Sequence, residues 1–349
     1  MRDRLLAALL LVPFTLGLSA AAPAEDGNVM LTFADPEIVE SSGLVVRDGL
    51  ALTTNDSGDT GRVFAVEVGS GRTVGVTRWS EDPTDVEALA PAPDGDVWVG
   101  DVGDNNAVRS SIRVARIQVG RGERTGEVAS YELGYPDGPA NAESLLSHPV
   151  TGRLYVATKT VFGGTFHEAP ARLSAEGRNV LRPMGDVLKM ATDGAFFADG
   201  RHVVVRNYTQ AAVYTFPELV EVGSFYLPSQ QQGEAIAVLP DGDLAVSTEG
   251  QYTDVLRVPL PQEIRRAMGA GASDGVSEGA SDGASGGASQ GASTSAAPSP
   301  EPSATTRSRV GRELPEQTSA ERPAWPWFLT AWIALGGIVL LMFVLRRRG

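Results

Sequence analysis

Residues 85–104 read DVEALAPAPDGDVWVGDVGD: an acidic opening, an apolar strand, a Pro-Asp-Gly turn, a second strand and an acidic exit. Val86, Leu89, Val97 and Val99 supply the strand-forming positions, and Asp94-Gly95 supplies the tight turn of a hairpin. The plan returns in ESLLSHPVTGRLYVATK from Glu143, in DGAFFADGRHVVVRN from Asp193 and in EAIAVLPDGDLAVSTE from Glu234. A looser copy, ESSGLVVRDGLALTTND, starts at Glu40. Each copy opens on a carboxylate, turns at a glycine and ends its second strand on polar or charged residues. Those exits are Asn55 and Asp56, Asp101, Lys159, Arg206 and Asn207, and Glu249.

The leading acids Glu40, Glu87, Glu143, Asp193 and Glu234 recur every 41 to 56 residues. A repeat of that length holding about four short strands is the mark of a propeller blade. Further alternating runs fill the outer places: RVFAVEV (62–68) and TVGVTRW (73–79), SIRVARIQV (111–119) and EVASYEL (127–133), AAVYTF (211–216) and EVGSFYL (221–227). Residues 160–188 alternate poorly. The last unit has only DVLRVPL (254–260) after its hairpin, so VMLTF (29–33) is expected to supply its outer strand and close the ring. The reading is an all-β, five-bladed propeller over residues 25–262. A sixth blade would have to be made of very short strands inside the degenerate third unit.

The composition bounds the chemistry. The 349 residues carry a formal charge of −14, and both ends are basic, so the body between them is more acidic still. Such a surface favours cations and argues against nucleic acid, which needs a basic footprint. Cysteine is absent, which removes disulfides, thiolate metal sites and thiol nucleophiles. The three histidines, His148, His167 and His202, stand beside no serine and acid in a recognisable catalytic order.

The ends place the body. Residues 1–24 have Arg2 and Arg4, an apolar run and the small-residue site Ala22-Pro23-Ala24, the pattern of a secretory signal peptide. Residues 263–324 turn to Gly, Ala, Ser and then Pro, a composition that cannot build a core and reads as a flexible linker. Residues 325–345 are uncharged, with Trp325, Trp327 and Trp332 at one end and Arg346-Arg347-Arg348 just past the other. That is a single membrane-spanning helix with a cytoplasmic tail at 346–349, giving a type I protein with its propeller on the extracellular side of the cell membrane. The run also resembles a wall-sorting signal, but Leu314-Pro315-Glu316-Gln317-Thr318 has its threonine one place late and lacks the glycine.

In a blade the first strand starts on the face where the second ends, so leading acids and exits should ring one mouth of the central channel. The expected ligand-binding mouth is Glu40, Asp56, Glu87, Asp101, Arg109, Glu143, Lys159, Asp193, Arg206, Glu234 and Glu249. Converging carboxylates need an offsetting charge. A calcium ion is the candidate, held by Glu87, Asp101, Asp104, Glu143 and Glu234, and the loop GDVGDNN (100–106) offers several hard oxygens on a glycine-bent segment. Taken one at a time, such Asp and Asn residues read as turn caps instead.

Residues 40–44 (ESSGL), 55–58 (NDSG), 85–89 (DVEAL), 100–105 (GDVGDN), 142–145 (AESL) and 232–236 (QGEAI) resemble secreted bacterial β-propellers. The groups in question are the phytase-like propellers with esterase-like activity and the SdiA-regulated type. The resemblance spans about residues 38–258 and implies calcium ions and ester hydrolysis at an acidic mouth. Lys159, Arg206 and Arg109 are the basic residues placed nearby, fewer than a highly phosphorylated substrate calls for. The expected role is therefore binding of an envelope ligand or protein partner, with a calcium-assisted phosphoester or carboxylic ester hydrolase as the alternative.

Ending the chain before Trp325 is expected to release the propeller into the medium, because the apolar run is gone. Sedimentation of the truncated protein with membranes, resistant to high salt, would contradict a single anchor.

Overall fold

A computed structural model describes residues 27–92 and 94–270. The signal segment 1–24, most of the linker, the apolar run 325–345 and the tail 346–349 fall outside the described residues. Among the described residues no helix is long and apolar enough to cross a membrane.

Five sheets follow one another along the chain. Strands β2 (Ser41–Arg47), β3 (Leu50–Asn55), β4 (Arg62–Glu67) and β5 (Thr73–Arg78) make blade 1. Blade 2 is β6 (Val86–Pro91), β7 (Val97–Asp101), β8 (Ile112–Ile117) and β10 (Ala129–Gly134). Blade 3 is β11 (Ala142–Ser147), β12 (Leu154–Thr158), β13 (Gly164–Glu168) and β15 (Arg182–Val187). Blade 4 is β16 (Asp193–Phe196), β17 (His202–Arg206), β18 (Gln210–Thr215) and β19 (Glu221–Tyr226). Blade 5 joins β20 (Gly233–Val238), β21 (Leu244–Thr248) and β22 (Asp254–Val258) to β1 (Asn28–Thr32), the first strand of the chain. The protein is an all-β, five-bladed β-propeller. The weakly alternating residues 160–188 hold the outer half of blade 3 and no sixth blade.

Each blade buries both faces, so its inner strands are buried along their length. All of LALTTN in β3 and HVVVR in β17 is buried. Five core clusters result, each sandwiched between two neighbouring blades. Leu89, Val97 and Val99 of blade 2 pack on Leu52, Val63 and Ala65 of blade 1, and Ala88, Trp98 and Val114 on the other face of blade 2 pack on Leu145 and Val156 of blade 3. Alternation along a strand thus serves two cores at once.

Two short strands leave their own blades. Polar β9 (Gly122–Thr125) runs parallel to β5 on the rim of blade 1, and β14 (Asn179–Val180) does the same to β10 of blade 2. Each covers an outer edge that would otherwise present unpaired N–H and C=O groups. The expected linker also starts too early. Residues Gln262–Ala270 form helix α1, whose Ile264 is buried against Gly223 of β19 and whose Arg265 donates to Asp243 Oδ1 at 2.7 Å. Its apolar contact and ion pair outweigh a composition that looks like spacer.

The ring closes where the sequence expects. Strand β1 pairs antiparallel with β22, Asn28 facing Arg257 and Thr32 facing Asp254. Leu31 and Phe33 are buried in the core between blades 5 and 1. Each buries a side chain whose loss costs about 2–5 kcal/mol. Deletion of residues 28–33 is therefore expected to give aggregation or a large fall in melting temperature. A deletion protein that stays monomeric and melts like its parent would contradict closure by β1.

Candidate functional site

The inner strands β6, β11 and β20 share an irregularity. Ladder register breaks between Val86 and Ala88, between Ala142 and Ser144, and between Gly233 and Ile236. The residues left over at these bulges include Glu87, Glu143 and Glu234, and a bulge re-aims the side chain it carries. Strand β2 breaks likewise between Ser41 and Leu44. The residue of blade 1 that matches Glu87 is therefore Ser42. Its hydroxyl donates to Glu87 O at 2.9 Å and lies 3.3 Å from Glu87 Oε2. Glu40 lies two residues earlier and is exposed, which corrects its reading as the blade 1 equivalent of the other acids.

Asp56, Asp85 and Glu87 each bring one carboxylate oxygen within 4.8 Å of the other two. Gly103 makes the room. A Cβ there would lie 2.3 Å from Asp85 Oδ2 and 2.8 Å from Glu87 Oε1, so no larger residue leaves both carboxylates in place. Glu143 and Glu234 act electrostatically on Glu87 from blades 3 and 5. Against these acids stands Lys159, which is bonded to Glu143 Oε1, donates to Tyr208 Oη at 2.5 Å and lies 4.9 Å from the centre of the Tyr208 ring. Glu143 Oε2 is buried and has no hydrogen-bond partner.

Burial, then the charges of Glu143, Asp56, Asp85 and Glu234, push the Glu87 carboxyl up to about 10. Burial, then Glu143, pushes Glu234 to about 8. Glu143 rises to about 7, chiefly through burial, with Lys159 pulling the other way. Asp85 is raised by burial and by Asp56, and Glu249 by burial, Asp56 and Glu40. A group of this kind takes up protons or a cation.

Four of the expected site residues are used elsewhere. Asp101 accepts from the backbone N–H groups of Asp85 at 2.9 Å and Thr84 at 3.1 Å, and pairs with Arg109 at 2.9 Å. Asp104 accepts from Val108 N at 2.9 Å and Arg109 N at 2.8 Å. Asp104 caps its own turn and Asp101 ties that loop to the segment before β6, so the oxygens of both are already engaged by protein donors. Asp193 is fully buried in a strand whose register has no bulge, and its Oδ2 accepts from Ile236 N of blade 5 at 2.8 Å. Arg206 is also fully buried, donating to the carbonyls of Asn207 at 3.1 Å and Ala235 at 3.0 Å. These last two pin blade 4 to blade 5 and do not line the mouth. Arg109 stays at the edge, bound to Asp101 and to Gly103 O at 2.6 Å.

Asp85, Ser42 and Tyr208 were not expected at the site. Asp85 was detectable, since Asp-Val-Glu in an extended segment points residues 85 and 87 to one side. Ser42 needed the bulge, and Tyr208 needed the neighbouring blade.

No family model matches the chain, and no curated protein does. Solved structures do. A streptogramin B lyase is 12% identical over 64% of this chain and 67% of its own, with a TM-score of 0.36. A luciferin-regenerating enzyme is 10% identical over 68% of this chain and 92% of its own, at 0.40. The Cps50 (Swd1) β-propeller domain of Myceliophteria thermophila is 12% identical over 62% and 64%, at 0.37. At these values none of them lends this chain an activity or a ligand.

The raised carboxyls fix a pH dependence. A carboxyl raised on folding keeps its proton in the native state while the unfolded chain has released it, so stability falls as pH rises between the two values. For Glu143, Glu234 and Glu87 that fall begins above about 4.5, the unfolded value, and continues through about 7, 8 and 10 respectively. In chelator, the melting temperature is expected to drop from pH 5 to pH 9, and Glu87→Gln with Glu234→Gln to flatten the drop. An equally steep profile in the double variant would show that these groups are not buried together.

Proposed function

We propose that this propeller is a binding module whose acidic channel mouth takes a cationic centre, and that calcium is the ion its donors suit. A β-propeller commonly serves as a ligand- or protein-binding module, and here the mouth is where the chemistry collects. The observation that carries the reading is the Asp56–Asp85–Glu87 group, three hard carboxylate oxygens within 4.8 Å. Hard oxygen donors in that number suit calcium, with waters or a ligand completing the shell. Bound there, the ion would supply positive charge to hold an oxygen-bearing ligand, and Glu143 lies within its electrostatic reach.

Binding is favoured over ester hydrolysis by the state of the basic side chains. Beside the ion, a phosphoester hydrolase of this kind needs a cationic side chain free to meet the charge of its substrate. Lys159 is held by Glu143 and Tyr208, Arg109 by Asp101, and Arg206 is fully buried. We further propose that the module works outside the cell, held to the membrane by its C-terminal run, on the strength of the signal segment and residues 325–348.

The test is melting of the chain with calcium and with chelator. An ion at about 100 times its dissociation constant adds about 2.7 kcal/mol of stability, a shift of several degrees. Calcium is expected to raise the melting temperature of the parent. Glu87→Gln is expected to abolish that response, while the metal-free variant melts no lower than the metal-free parent, which already holds Glu87 as the neutral acid. A parent indifferent to both calcium and chelator would remove the metal from this reading.

A further inference from the structure

The face around the mouth is apolar as well as acidic. Phe162, in the loop from β12 to β13, is 99% exposed, and Val108, between β7 and β8, is 72% exposed. Tyr252, between β21 and β22, is 56% exposed, and Val39, just before β2, is 37% exposed. All four sit on segments that enter a first strand or leave a second one, so they share the face that bears Glu87 and Glu143. Single exposed apolar side chains are ordinary, but four from four blades on the face that carries the acidic mouth offer apolar seats on one side of the ring. Tyr252 is also held at φ 57°, where a bulky side chain is costly and asparagine or glycine is not. Thr253 Oγ1 fixes that loop through Gly250 O and Thr248 O, both at 3.1 Å.

The charge is unevenly answered. Lys159 pairs with Glu143, and Asp56, Asp85 and Glu87 form the group suited to calcium. Glu40, Glu234 and Glu249 take part in no ion pair among the described residues; Gln232 Nε2 donates to Glu234 Oε1 at 3.2 Å and Lys159 attracts Glu234 and Glu249 from a distance, while Glu249 feels Glu40 and Glu234 feels both Glu249 and Glu143. Glu143 is only 5% exposed, and its unpartnered Oε2 belongs to this same set of interacting carboxylates. A buried acceptor without a donor is rare in a native interior and calls for one from outside. The Tyr252 loop adjoins these acids, since Gly250 N donates to Val39 O at 2.9 Å.

We propose that this face docks a polypeptide, one lysine or arginine side chain entering beside Glu234 and Glu249 while flanking apolar residues seat on Tyr252, Val39 and Phe162. The inference rests on reading the mouth as cation-binding, and it adds the class of partner. A lone ion would leave Phe162 and Tyr252 in water. An anionic lipid surface or a nucleic acid would meet the acidic mouth with like charge. An aromatic ring beside carboxylates is a favourable seat for a basic side chain.

The test uses the full-length chain in neutral nanodiscs and a fluorescein-labelled short peptide with a lysine between two phenylalanines. Companion peptides carry glutamate for the lysine, or serine for both phenylalanines. Anisotropy titrations run in calcium and in chelator, at low and high salt. The lysine–phenylalanine peptide is expected to bind at least about tenfold more tightly than either companion. Glu234→Gln with Glu249→Gln is expected to weaken it about tenfold and to remove its salt dependence. Phe162→Ser with Tyr252→Asn, which keeps a residue suited to positive φ, is expected to weaken it with the salt dependence and melting temperature unchanged. The proposal is overturned if this peptide does not bind, if the glutamate peptide binds equally, or if both variant pairs bind like the parent. Sedimentation of the detergent-solubilised chain with lipid vesicles, lost in the Phe162→Ser variant, would assign the rim to a membrane and overturn it too. Calcium-independent melting with peptide binding intact removes only the metal, and calcium-dependent melting with indifferent peptide binding removes only the docking.

Discussion

The ladder between β1 and β22 closes the ring, and closure is what gives this protein a channel. Blade 5 has three strands from its own repeat and takes the fourth from the start of the chain. With the ladder formed, Leu31 and Phe33 complete the core between blades 5 and 1, and every inter-blade core is filled. Side chains more than a hundred residues apart, such as Glu87 and Glu234, can then act on one another. Backbone hydrogen bonds at the rim therefore set the electrostatics at the centre.

Those electrostatics work against the fold. Burying several carboxylates near one another is unfavourable, and it pushes Glu87 up to about 10. The structure offsets part of the cost with Lys159 on Glu143 and the Ser42 hydroxyl on Glu87. It leaves Glu143 Oε2 unanswered. Groups held in an unfavourable state at the mouth of a channel are the usual signature of a place where something binds.

Neighbouring blades are joined by polar pins as well as by apolar packing. Ser42 donates to Glu87 O, Thr192 Oγ1 donates to Glu234 O at 2.9 Å, and Asp193 accepts from Ile236 N. Arg206 ties four backbone or side-chain acceptors together across blades 4 and 5. These pins hold the inner strands in fixed relation, so the bulges at Glu87, Glu143 and Glu234 aim their side chains from a rigid frame. The same polar residue types serve as frame in one blade and as ligand donors in the next.

The order of strands, the five repeats, the closing role of residues 29–33 and the acids at the openings of β6, β11 and β20 were legible in the sequence. All of these rest on local pattern: alternation of period two, glycine turns, and a carboxylate at a fixed place before an apolar run. Tertiary structure alone decided which carboxylates are free. Asp101 and Glu87 look alike in sequence, but one is satisfied by the N–H groups of residues 84 and 85 and the other by almost nothing. The bulges shifted blade 1 by two residues and put Ser42 where Glu40 was expected. Strands β9 and β14 and helix α1 were missed because their residues gain stability only from an edge or face supplied by another part of the chain. A hydrogen-bond partner distant in sequence leaves no mark on the residue it satisfies, so the site could be outlined from the chain but not sorted.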